Sequence, residues 1–253
     1  MWEMPRDISI VMMVYKYDRV MIEHVQRAFF PGRSYISCYL RVAELIRSGY
    51  LSAQQLHPTT PRGSGKLLLG LGAQGKRLVA RQLKKPVNTL PRLLPFRSGD
   101  KGQHHSATCH FRIGLEHACA ARGDVEVIDW ITERQLQQQK LNPRPDGIFT
   151  LSWEGKGIQD YRLEIDMGTH ERWYMLDNFT QYLKLQERSP VLYVVLTDKR
   201  QRYLLEWARA VATREHLDPG FLWVAVTPVN PLDYVWSIPN SDVPVSLLGG
   251  PHA

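Results

Sequence analysis

Two apolar strands joined by a glycine-rich turn, with carboxylates at their open end, constrain this chain most. Gly147–Trp153 and Tyr161–Asp166 read as strands, and Glu154-Gly155-Lys156-Gly157 between them has the composition of a hairpin turn. With the turn centred near residues 155 and 156, position 146 is expected opposite about 165. That would set Asp146 beside Glu164 and Asp166, an i, i+2 pair sharing one sheet face. Three like charges so close repel unless a cation or proton intervenes. Oxygen donors of this kind suit a hard dication, Mg²⁺ or Mn²⁺, which would activate water and stabilise a pentavalent phosphate.

The elements around the hairpin alternate. A helix is expected over 106–122, a strand over 125–130, and the hairpin follows. Then come a helix over 171–187, a buried strand over 191–196, a helix over 199–215 and a strand over 221–227. The order αβββαβαβ implies an α/β fold with a mixed sheet flanked by helices.

The N-terminal third is different. An apolar helix is expected around Ile8–Val14. A second helix runs from Arg19 to Phe29 with Asp18 as N-cap, and Pro31-Gly32 breaks the chain. A third, over 34–48, stops at Gly49. Its apolar side is expected to be Ile36, Leu40, Ala43 and Ile46, with Arg33, Ser37, Arg41 and Ser48 near the other. A hairpin with a polar tip, including Arg62 and Lys66, leads to Leu67-Leu68-Leu69, and a helix over 73–83 closes the unit. Helix, helix, helix, hairpin resembles a winged helix-turn-helix. Arg41–Leu51 is similar to the usual exit from a recognition helix, and Leu71-Gly72-Ala73-Gln74-Gly75 to the segment leading out of a wing. Such a domain implies Arg33, Ser37 and Arg41 facing the DNA groove, with Arg62 and Lys66 on phosphate. Winged helices also dock proteins, which is the competing use.

Charge agrees with this division. Residues 1–103 hold 17 Lys+Arg against 6 Asp+Glu, and the remainder 15 against 19. A basic N-terminal part suits a polyanion such as double-stranded DNA. Lys84-Lys85-Pro86, Pro91, Pro95 and Gly99 mark a break, so the expected organisation is a domain over 1–84, a linker over 85–104 and a second domain over 105–253.

Several alternatives are weaker. Cys38, Cys109 and Cys119 are an odd number without CxxC spacing, which argues against a disulfide framework and fits a reducing cytoplasm. No run reaches the roughly 18 apolar residues of a membrane span. His105 and Cys109 have one helical zinc-ligand spacing but no second standard pair, so packing and polar contacts explain them better. Gly63-Ser64-Gly65-Lys66 lacks full phosphate-loop spacing. Trp173 and Tyr174 read first as apolar helix packing, with base stacking as the other reading.

Arg144-Pro145-Asp146-Gly147, Leu163-Glu164-Ile165-Asp166-Met167-Gly168-Thr169 and a following helix with Tyr182 resemble the replication-relaxation family. The resemblance implies a winged helix joined to a PD-(D/E)XK nuclease-like domain, in proteins of plasmids and other mobile elements. It implies DNA and replication or mobilisation proteins as partners. A homodimer would pair with a palindromic site. Asp146 and Glu164 would be metal carboxylates, and Glu116 an additional helix acid. Asp166 stands where the nuclease motif has lysine. Asn178 holds the alternative lysine position, and Lys184 lies too far along the helix to replace it. The resemblance thus leaves two functions open: a metal-dependent endonuclease or nickase, and a DNA-binding factor with a nuclease-like domain.

Overall fold

The computed structural model describes residues 4–56, 67–90, 101–137, 139, 141–155, 157–185, 189–233 and 235–248. They form two compact units, Met1–His110 and Phe111–Ala253. The division falls within one helix, Lys101–Arg122. Arg62, Lys66 and residues 91–100 of the expected linker lie outside the described residues.

The first unit runs α1 (Pro5–Lys16), β1 (Arg19–Met21), α2 (Ile22–Phe29), α3 (Tyr35–Arg47), β2 (Leu51–Gln55), β3 (Leu67–Leu71) and α4 (Ala73–Gln82). Its antiparallel sheet has the order β1-β3-β2, with Leu69 paired to Val20 on one side and Ala53 on the other. Arg19–Met21, expected to open a helix, is a strand because β3 supplies it with a ladder; α2 starts only at Ile22. Asp18 turns the chain at φ 64° instead of capping a helix.

The two sides of α3 also differ from expectation. Cys38, Val42 and Leu45 are its buried stripe. Ile36 and Leu40, expected inside, are 67% and 63% exposed. The stripe is still helical in period, at i, i+4 and i+7, but turned toward α1 and the sheet, whose Val11, Val14 and Leu69 are fully buried. Ser34 caps the helix by accepting from the Ser37 amide.

The second unit continues from the same helix, α5 (Lys101–Arg122), through β4 (Val125–Thr132), α6 (Glu133–Leu136), β5 (Gly147–Trp153), β6 (Gly157–Asp166), α7 (Arg172–Leu183), β7 (Val191–Val195), α8 (Asp198–Glu215) and β8 (Leu222–Val226). One mixed sheet has the order β4-β5-β6-β7-β8. The first three strands are antiparallel and the last three parallel. The chain is thus α/β, as its alternating elements imply.

Aromatic rings fix the antiparallel register. Trp130 stacks on Phe149, and Phe149 on Tyr161, each at 5.2 Å between centroids. These are directly opposed residues on β4, β5 and β6. The opposite sheet face, with Val191, Tyr193 and Val195, packs against Met175, Phe179 and Tyr182 of α7 and Leu204, Ala208 and Val211 of α8. Among the described residues no helix is long and apolar enough to cross a membrane.

One close approach in the first unit is testable. A Cβ on Gly75 would fall on the backbone oxygen of Tyr50 and press on Leu71. Gly75→Ala should therefore destabilise the chain by about 2 kcal/mol, read as a lower urea midpoint. An unchanged midpoint would refute this packing of α4.

Candidate functional site

The site forms where β5 begins and β6 ends. Gly147 pairs with Leu163, so the residue before it, Asp146, lies opposite Glu164 and not 165. The difference of one residue matters: directly opposed residues project to the same face, and a one-residue slip reverses the face. The Asp146 amide donates to the Leu163 carbonyl at 2.8 Å, and its Oδ2 accepts from the Ile165 amide at 2.7 Å. The side chain thus takes over as acceptor where the strand ends.

Glu164 is half-buried on the α7 side of the sheet. Tyr182 donates to its Oε1 at 2.6 Å. Asn178 also hydrogen-bonds it, while Asn178 Oδ1 accepts from Tyr193 at 2.5 Å. Burial first, then the Asp146 charge, pushes the Glu164 carboxyl well above its ordinary value, against the opposing pull of Tyr182 and Asn178. The same surroundings raise the phenols of Tyr182 and Tyr193, through burial and then the charge of Glu164.

Asp166 has a different environment. It is 3% exposed, and its Oδ2 accepts from Arg200 Nε at 2.5 Å and its Oδ1 from Arg200 Nη2 at 3.3 Å. The Gly168 amide adds a bond at 2.9 Å, and Arg200 also donates to the His170 carbonyl at 2.9 Å. Of the three carboxylates expected to converge, Asp146 and Glu164 thus oppose each other at the strand end, while Asp166 is held in an ion pair with Arg200. Among the described residues no group of three or more His, Cys, Asp or Glu side chains is arranged to hold a metal ion. Glu116 accepts from Arg112 at 3.0 Å, and the Arg112 guanidinium lies 4.8 Å from the centroid of Trp130. Lys184 pairs with Glu215 at 3.0 Å. Arg200 was not singled out in the sequence; its spacing from Asp166 carries no local signal.

In the first unit, Ser37 is exposed on α3 and Arg33 is exposed just before the helix's N-cap, Ser34. Arg41 is not on that surface. Its side chain is 17% exposed and bonds both Asp7 and Glu44. Burial alone would raise the Asp7 carboxyl, but the Arg41 hydrogen bond and charge, with the Met4 amide, hold it below its ordinary value. Arg41 thus ties α3 to α1, where the sequence placed it on the exposed side with Arg33 and Ser37. His105 and Cys109 both reach the Arg19 carbonyl, at 3.1 and 3.0 Å, which accounts for them as packing contacts to β1.

A family model described as replication-relaxation matches residues 13–191. The chain belongs to the replication-relaxation family. The match covers all of α2 through α7 and ends at the first residue of β7, so it takes in Asp146, Glu164 and Asp166 but not Arg200. No curated protein and no solved structure gives a significant match. Membership in the replication-relaxation family suggests a role in replication or relaxation, with DNA or replication-related partners.

Two measurements test the electrostatics. The folded chain holds a proton on Glu164 to higher pH than the unfolded chain does. This contribution is fully present below the unfolded carboxylate value and is lost as pH rises through the folded value. Wild type should lose stability as pH rises above the ordinary carboxylate range in the absence of divalent cations, and Glu164→Gln should flatten that fall. Equal pH slopes in urea unfolding would count against the raised value. Arg200→Ala should cost about 3 kcal/mol, because it leaves Asp166 buried and charged without its partner.

Proposed function

We propose that this chain is a DNA-binding factor of a plasmid or other mobile element, acting in replication, relaxation or mobilisation. The observation that carries this reading is the first unit's order, α1-β1-α2-α3-β2-β3, with the sheet order β1-β3-β2 and an exposed Arg33 just before the N-cap of α3. That order supports a winged helix-turn-helix, in which α3 enters the major groove of duplex DNA and the β2–β3 connection lies against phosphate. In this reading Arg33 and Ser37 are the contacts at the N-terminal end of α3, and Arg62 and Lys66, which lie in the sequence between β2 and β3, supply charge for phosphate. The excess of Lys and Arg before residue 104 supports the same partner.

The second unit's helix, antiparallel strands β4, β5 and β6, helix α7 and parallel strand β7 support a PD-(D/E)XK-like reading. Asp146 and Glu164 are the residues that would hold Mg²⁺ or Mn²⁺. Two opposed carboxylates, one with its proton affinity raised by burial and then by the other's charge, are the chemistry a hard dication satisfies. A bound dication supplies water activation and charge stabilisation at phosphate. Asp146 is oriented for this by the Ile165 amide, and Glu164 by Tyr182 and Asn178. Asp166, paired with Arg200, keeps the strand end in place and offers no lysine-like cation.

The close Asp146–Glu164 pair also favours a second reading, an active metal-dependent endonuclease or nickase. Asp166 at the lysine position favours the binding factor, and we take that as the conclusion.

Binding of labelled duplex DNA over a series of salt concentrations tests the first reading. Affinity should fall steeply with salt, and Arg33→Ala should lower the log–log salt slope by about 1. Duplex binding that is absent or independent of salt would refute it. Supercoiled plasmid with Mg²⁺ or Mn²⁺ tests the second reading. Nicking by wild type that is lost in both Asp146→Ala and Glu164→Ala would make the chain an enzyme; intact plasmid throughout leaves it a binding factor. As an independent readout, Mn²⁺ should raise the melting temperature of wild type and not of Asp146→Asn.

A further inference from the structure

Helices α7 and α8 carry a row of aromatic rings and cations that begins beside the acidic pair. Tyr174 stacks on His170, with centroids 4.2 Å apart and planes 16° apart. Arg200 joins this start of the row to the acidic strand end, bonding both the His170 carbonyl and Asp166, which lies two residues past Glu164 on the same face of β6. Trp173 stands edge-on to Tyr174 at 6.0 Å. It is 67% exposed, although its indole N–H is anchored to Glu171 at 2.7 Å. Both residues read first as core packing in the sequence; neither serves it, since Tyr174 is 42% exposed.

The row continues onto α8. Arg200, already bonded to the His170 carbonyl, lies 5.2 Å from the centroid of Trp207, and Arg172 lies 6.0 Å from the same ring. Trp207 stacks on Tyr203 at 5.6 Å with planes 10° apart, and the Lys199 ammonium lies 5.7 Å from the Tyr203 centroid. Residues 199, 203 and 207 recur every four positions, so they form one stripe of the helix. Tyr203 is 41% exposed, and Arg172 and Lys199 are exposed.

Exposed rings interleaved with cations fit one kind of ligand better than others. An unpaired nucleic-acid strand offers both base faces to stack and phosphates to neutralise. A duplex keeps its base faces inside and would leave Trp173, Tyr174 and Tyr203 unused. We propose that this row binds a short segment of single-stranded DNA and leads it past the Asp146–Glu164 pair. The inference rests on the reading of the chain as a DNA-acting protein, and supplies the form of DNA that the second unit takes.

The test uses the full chain with two labelled probes, oligothymidylate and a duplex of equal length. Wild type should bind oligothymidylate in a salt-dependent way. Trp173→Ala and Tyr203→Ala should each weaken that binding about tenfold, with duplex affinity unchanged. Trp173→Phe should keep most of the affinity, because a ring remains; both native side chains are exposed, so these changes leave the core intact. Arg33→Ala should have the reverse pattern, weakening duplex and sparing oligothymidylate. No oligothymidylate binding, or equal binding by wild type and the two alanine variants, overturns the proposal while duplex binding can stand. Loss of duplex binding with ring-dependent oligothymidylate binding intact overturns only the winged-helix reading.

Discussion

The stacked column Trp130–Phe149–Tyr161 sets the geometry on which the second unit depends. Each ring sits directly opposite the next across β4, β5 and β6. A slip of one residue would break both stacks and turn every side chain of the hairpin to the wrong face. The column therefore determines, from the far side of the sheet, that Asp146 faces Glu164. The charges of the two acids oppose this arrangement, since Glu164 is pushed toward its protonated form by burial and by Asp146, and only their hydrogen bonds to the Ile165 amide, Tyr182 and Asn178 offset this. Packing on one face thus holds in place a repulsion between like charges on the other.

Most of the second unit was legible because its signals are local. β5 is a single apolar run bounded by Gly147 and the glycine-rich turn, and the structure places it at the expected residues. β7 and β8 are fully apolar because the parallel part of the sheet is covered by helices, and their runs stand out accordingly. Asp146 and Glu164 were legible as a pair for the same reason, since one short turn separates their strands. The hairpin register was off by one, because composition locates a turn without specifying which residue occupies its centre. In the structure that residue is Gly155, flanked by the Trp153–Gly157 pair.

What was not legible depends on distant partners. β1 is three residues long and follows a helix-like pattern; only pairing with Leu68–Gly70 makes it a strand. The α3 faces were misassigned because Ile36 and Leu40 are as apolar as Cys38 and Val42 and have the same period. Tertiary contact chose between the two stripes, and Arg41 went with the buried Asp7. Trp173 shows the same ambiguity in reverse: an apolar residue on a helix is a core candidate by default, and only its exposure argues otherwise. Arg200 is the sharpest case, because 34 residues separate it from the carboxylate it neutralises.

That ion pair has an evolutionary consequence. Asp166 and Arg200 behave as a single unit of variation. Placing a lysine at 166 alone would set two cations against each other in a buried site, and replacing Arg200 alone would strand a buried anion. Between a chain with this arrangement and one with a lysine at that position lie two linked substitutions, each costly without the other. The present pair thus closes the single-substitution routes to a lysine at this strand end, since either change made first leaves a buried charge without its counterpart.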